Sequence, residues 1–242
     1  MSFPFLDHLE EFRRRLILCL VTLALGTTAS FFFSRQILDF LTLPLLKHQE
    51  VSLYFQTPYE AFMVHVKAAL MTGILVSLPV WMTQLWHFVT PGLYEKERRA
   101  LTPLIFFSFA LFLLGCAFAY YLIIPAGLNF LLAFGSQSLK PMLTVGPYVS
   151  FFLGMILACG ALFDFPIVMI GLVKLGVVST EAMAKARKTI IVIIFVVAAI
   201  VTPSPDPFSQ LLLAIPLWVF FEAALVICRR FEKPLAAVPQ SR

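Results

Sequence analysis

Charge is what this 242-residue sequence has least of: 13% of its residues are Asp, Glu, Lys or Arg, and 60% are hydrophobic. Ordinary soluble domains carry about 25% charge and about 45–50% apolar residues. One water-surrounded core could not hide this much apolar surface, so the chain reads as an integral membrane protein. The same balance excludes a disordered chain and a collagen-like repeat. Cysteine is nearly as scarce, and Cys19, Cys116, Cys159 and Cys228 each stand alone in apolar stretches. They read as small core hydrophobes, which excludes a disulfide-stapled module. Histidine is limited to the scattered His8, His48, His65 and His87. No GxxxxGK[ST] phosphate loop, GxGxxG turn, HExxH or GxSxG element occurs, so no cofactor, metal site or catalytic centre is expected.

What remains is apolar and organised in six blocks, at 16–33, 68–86, 101–124, 149–173, 190–201 and 211–227. The first four are long enough to cross a hydrocarbon core of about 30 Å as helices rising about 1.5 Å per residue. The last two look short, the fifth by length and the sixth because Glu222 interrupts it. A re-entrant hairpin with TPSPDP, Thr202 to Pro207, at its tip is the alternative for this pair. The basic residues decide between them: 14 of the 18 Lys and Arg lie before the first block, in the second and fourth connections and in the tail. By the positive-inside rule both termini are then cytoplasmic. A basic run before the fifth block and another after the sixth favour two true crossings. The first block could imitate a cleaved signal peptide, but Thr27 to Ser30 fits a cleavage site poorly. Net charge +5 follows from the inside bias and anionic lipid, and no nucleic-acid ligand is needed.

The predicted fold is an all-α bundle of six membrane helices, a single domain with residues 1–15 as an amphipathic cytoplasmic helix and 229–242 as a cytoplasmic tail. Connections 34–60 and 125–147 have helix-like apolar spacing and are expected to cap the outer surface. Pro79, Pro166 and Pro216 predict kinks and a concave, cupped bundle, whereas Pro103 and Pro125 read as terminators of the third span. Asp164 falls near mid-membrane, where a carboxylate must face the bundle interior or a wet cavity; a hydrogen bond to backbone freed by Pro166 is the plainer reading. Glu222 is placed to snorkel toward Arg229 or Arg230. On the basic side DHLEEFRRRL (Asp7 to Leu16) and PGLYEKERR (Pro91 to Arg99) set carboxylates among arginines. Such a cluster is either a self-satisfied surface lattice or a site for a cationic ligand, since carboxylates pair with guanidinium at two points.

HLEEFRRRL before the first block, TPYEAF (Thr57 to Phe62) before the second, QLWHFVTPGLYEKERR (Gln84 to Arg99) after it, FDFP in the fourth and TPSPDPFSQLLLAIPLWVFFE (Thr202 to Glu222) together resemble the TatC family. That family supplies the multispanning receptor of the twin-arginine translocase, and the resemblance covers residues 5–232. It implies a cup-shaped six-helix protein of the inner membrane that recognises precursors bearing consecutive arginines. With single-span TatA- and TatB-type partners, in a multimeric complex, it would export folded proteins at the expense of the proton gradient. By motif position, Glu11 and Glu97 would bind the arginine pair, with Arg15, Phe88, Pro91, Leu93, Tyr94 and Arg98 around them. Asp164 stands where the family commonly has Glu, and is one methylene shorter. Thr202 and Gln210 would dock the partner helices, although the TPSPDPFSQ tip is one residue longer than the form expected. Phe12 stands for a usual Leu. Two other classes are kept open. A secondary transporter calls for inverted repeats, and a membrane-embedded enzyme calls for clustered catalytic side chains; neither feature is found.

Overall fold

The computed structural model describes residues 4–46, 53–89, 101–133, 142–174, 176–202 and 207–231. Those residues are almost entirely helical: α1 (Pro4–Phe31), α2 (Ser34–Leu46), α3 (Pro58–Val89), α4 (Leu101–Phe118), a π-helical turn (Ala119–Ile123), α5 (Ile124–Leu132), α6 (Val145–Phe163), α7 (Phe165–Lys174), α8 (Thr180–Lys185), α9 (Arg187–Val201) and α10 (Pro207–Phe231). Two short strands, β1 (Leu53–Tyr54) and β2 (Leu143–Thr144), pair in parallel. Among the described residues, five stretches are long and apolar enough to cross a membrane: Leu9–Phe31, Pro58–His87, Ile105–Phe130, Val145–Lys174 and Ser209–Arg230. The fifth block of the sequence forms α9, 15 residues long. The sixth departs from expectation: α10 runs for 25 residues through Glu222, because the carboxylate there is paired rather than left to break the helix. Apolar side chains such as Leu25, 67% exposed, and Ile200, 77% exposed, face outward, a surface that hydrocarbon and not water satisfies.

The chain divides into two compact units, residues 1–160 and 161–242. In the first, α1 runs antiparallel to α3. Cys19 meets Trp81, whose indole Nε1 donates to the Cys19 carbonyl at 3.1 Å, and Phe31 meets Phe62 edge to face at 6.4 Å between centroids. Between those points Gly73 lies against Thr27 so closely that a Cβ there would stand 2.7 Å from the Thr27 Cα. Apolar surface does not drive helices together in lipid; close backbone approach at small residues does. Thr22 and Thr28 donate their hydroxyls to the Leu18 and Ala24 carbonyls of their own helix, so neither presents an unpaired polar group to lipid.

The connections expected to cap the outer surface are ordered by polar contacts that the apolar pattern does not reveal. Glu60, in the first turn of α3, accepts the Gly146 N–H at 2.8 Å and the Gln56 N–H at 2.7 Å. It thereby satisfies one of the amides that the N-terminus of α6 leaves without an intrahelical partner. Lys67 donates to Ser150 at 2.6 Å, two turns further along α3 and one turn further along α6. Pro44 sits inside α2 and has no N–H for the Phe40 carbonyl one turn back. Tyr120 supplies the missing donor at 2.9 Å while its ring stacks on Phe40, 4.4 Å between centroids. Tyr148 donates to the adjacent Leu41 carbonyl at 3.1 Å. Tyr120→Phe keeps the stack and leaves a carbonyl unsatisfied, a loss of about 1–3 kcal/mol. The expected outcome is a thermal unfolding midpoint in detergent lower by a few degrees, and an unchanged midpoint would show that the hydroxyl carries no stability.

The prolines act differently from one another. Pro79 and Pro216 lie within continuous helices. At Pro166 the helix stops at Phe163 and resumes at Phe165, with Asp164 between the two pieces. Pro125 is not the terminator expected of it. The chain stays helical through it, and the preceding turn widens to a π-helix in which the Ile124 N–H reaches the Ala119 carbonyl, one residue further back than in an α-helix. A locally widened turn is how a helix absorbs a register change beside a missing donor.

The second unit is built on α10, packed against α7 and α9. Leu213, Phe221, Ala224 and Leu225 are fully buried on its inner face, and Phe163 meets Phe220 edge to face at 4.8 Å. Gly176 closes α7 in the left-handed region, at φ 69°, a conformation that glycine adopts without strain. Ser179 caps α8 by accepting the Ala182 N–H at 3.2 Å. Cys116, Cys159 and Cys228 are buried and Cys19 is half-buried, the setting of small apolar core residues.

Candidate functional site

The acidic residue among the N-terminal arginines is held by one of them. Glu11 and Arg15 are one helical turn apart on α1, the spacing that faces two side chains toward each other. Arg15 Nε donates to Glu11 Oε1 at 3.1 Å, and Nη2 donates to the same oxygen. The third contact is tertiary: Arg15 Nη1 donates to Oε1 of Gln84, on α3, at 3.2 Å. The Arg15 side chain is 22% exposed and that of Glu11 37%. This is a guanidinium cradled by a carboxylate from one helix and an amide from its neighbour, not a free surface pair.

Two concavities flank this cradle. One, of about 570 Å³, is lined by Glu11, Arg14, Leu18 and Val21 together with Arg15 and Gln84. The other, of about 430 Å³, is apolar and is lined by Leu16, Trp81, Met82 and Phe112, again with Arg15 and Gln84. Arginine chemistry and an apolar slot thus meet at one pair of side chains. Gln84 is the residue that sequence reasoning left without a role. Its signal was a lone amide at the end of an otherwise apolar block.

Of the other predicted site residues, Pro91, Leu93, Tyr94, Glu97 and Arg98 lie outside the described residues, and so does the side chain of Phe88 at the end of α3. Asp164, Thr202, Gln210 and Glu222 all belong to the second unit. Asp164 is buried at the break between α6 and α7. Glu222 turns to α9 rather than to Arg229 or Arg230: its Oε2 accepts from Arg187 Nη2 at 2.7 Å. Antiparallel packing of α9 and α10 offers that partner at no cost in helix geometry, whereas Arg229 and Arg230 lie about two turns along the same helix. Thr202 is buried and donates to the Ala198 carbonyl at 2.9 Å. Gln210 donates to the Phe195 carbonyl at 2.9 Å and edges a groove of about 410 Å³ formed by Ile191, Val192, Phe195, Val196 and Ile200.

The family model described as Sec-independent protein translocase protein (TatC) matches residues 7–216, most of the chain. The chain belongs to the TatC family. Among its curated TatC relatives, the protein of Aquifex aeolicus (strain VF5) is 39% identical over 227 residues, 93% of this chain and 94% of that one. The TatC of Magnetococcus marinus is 36% identical, over 96% of this chain and 86% of the relative. Among solved structures, a crystal structure of twin arginine translocase receptor TatC in DDM superposes with a TM-score of 0.82 at 38% identity, covering 91% of this chain and 99% of that one. A second TatC crystal structure gives 0.80. This TatC-family chain is therefore a multi-pass membrane component of a protein translocase. The TatC match takes in Glu11, Arg15, Gln84, Asp164 and Gln210 alike.

Proposed function

We propose that the chain is the receptor subunit of a twin-arginine translocase in a bacterial-type inner membrane. Glu11, with Glu97 as its companion, takes the paired arginines of a signal peptide at the cytoplasmic face. The observation that carries this reading is that Glu11 already binds a guanidinium through two donors, beside a concavity with room for another. Glu97 follows α3 in the sequence, and α3 is the helix whose Gln84 touches Arg15. The apolar slot under Arg15 suits the hydrophobic stretch of a signal peptide. Phe88, Pro91, Leu93, Tyr94 and Arg98 shape the rim, and Asp164 serves later steps deeper in the membrane.

In this reading α9 is a sixth crossing, short enough to thin the bilayer locally, and both termini are cytoplasmic in a cupped bundle. The Gln210 groove and the outward apolar residues of α9 receive single-span TatA- or TatB-type helices in a multimeric assembly driven by the proton gradient. Precursor crosslinking in membranes tests the reading. A precursor with Arg-Arg is expected to crosslink to residues around Glu11 and one with Lys-Lys about tenfold less, because an ammonium cannot make the two-point contact. Equal crosslinking of the two would overturn it.

A further inference from the structure

We infer that Arg15 is a built-in stand-in for the ligand's arginine, which an incoming signal peptide must displace from Glu11. The inference rests on the receptor reading above and adds to it a residue that sets the threshold for binding. Three guanidinium nitrogens of Arg15 are engaged: Nε and Nη2 on Glu11 Oε1, and Nη1 on Gln84 Oε1 at 3.2 Å. The first two are the contacts a signal-peptide arginine needs, so the resting site is occupied by the chemistry it is built to recognise.

The exchange is like for like. A ligand guanidinium takes the Glu11 carboxylate and Arg15 is released from it, so at no point is Glu11 left as an unpaired anion. Gln84 is a neutral acceptor that can hold Arg15 by one hydrogen bond and cannot compete with a carboxylate for it. Arg15 and Gln84 also line both concavities, so the side chain that moves forms part of the wall of the apolar slot. Recognition of the arginine and admission of the hydrophobic segment are thereby joined in one movement.

The test is a titration of the full-length protein in lipid nanodiscs with synthetic signal peptides carrying Arg-Arg or Lys-Lys. Arg15→Gln removes the competitor, and Arg-Arg affinity is expected to rise about twofold to fivefold, the strength of a partly exposed ion pair. Lys-Lys affinity rises by the same factor, because an internal competitor opposes every ligand equally, and the ratio between the two peptides stays constant. Arg15→Lys, which keeps the charge and loses the fork, falls between wild type and Arg15→Gln. Weaker or unchanged Arg-Arg binding in both variants, or a collapse of the Arg-Arg to Lys-Lys ratio, would show that Arg15 positions Glu11 instead, and the inference fails. Glu11→Gln serves as the separate control: if it binds Arg-Arg as well as wild type, the receptor reading itself is wrong.

Discussion

Glu11→Ala is expected to lower affinity for an Arg-Arg signal peptide about a hundredfold, with the protein still inserted in the membrane at normal abundance. A hydrogen bond to a charged group contributes about 1.5–3 kcal/mol, and each 1.4 kcal/mol is about tenfold in binding. The two-point contact that Arg15 makes with Glu11 shows what the ligand's guanidinium would lose. Insertion is spared because the Glu11 side chain is 37% exposed, so the variant opens no cavity in the core. Glu97→Ala should match it and the double variant should abolish binding. The measurement is precursor photocrosslinking in membranes alongside the amount of inserted receptor. Undiminished crosslinking in both single variants would rule out the carboxylate clamp.

Gly73→Leu is the second large effect, and it acts from a distance along the helix. A Cβ at residue 73 would stand 2.6 Å from the Thr27 backbone nitrogen and 2.7 Å from its Cα. Those are main-chain atoms of a helix, with no flexible end to swing aside, so α1 and α3 must separate. Overpacking of this kind costs about 1–3 kcal/mol, occasionally more. Among the described residues only 6% of the apolar stretch of α1 is buried, and α3 is the helix it packs against most. Separation at Gly73 also pulls Arg15 from Gln84 and Trp81 from Cys19, contacts that need the crossing in register. The expected result is a lower thermal midpoint in detergent together with loss of Arg-Arg peptide binding, while Gly73→Ala shows a smaller loss of both. Wild-type binding in Gly73→Leu would mean that α1 keeps its place without this contact.

These two variants mark where local information ends. Glu11 was legible because its signal is local: a carboxylate one turn from an arginine, in a basic segment, within a motif that resembles a family. Gly73 and Gln84 matter for what lies across from them, 46 and 69 residues away in the chain, and no periodicity encodes that. The same holds for Glu60 on Gly146 and for Arg187 on Glu222, the second of which replaced the simpler expectation of Arg229 or Arg230.

By itself the sequence determined that the protein lives in a membrane, that it is helical, where the apolar blocks fall and which acidic residues stand among arginines. Composition and period suffice for this, since lipid requires every backbone group of a crossing segment to be paired within its own helix. Tertiary structure alone decided how polar groups are paired between helices. It set Arg15 on Gln84, Tyr120 under the carbonyl freed by Pro44, and Arg187 on the glutamate that was expected to shorten the last helix. The reason is energetic. In lipid, apolar helix faces are interchangeable, and the choice of neighbour and register rests on a few close backbone approaches and hydrogen bonds. Scarce charge therefore located the site, and packing determined what each charge holds.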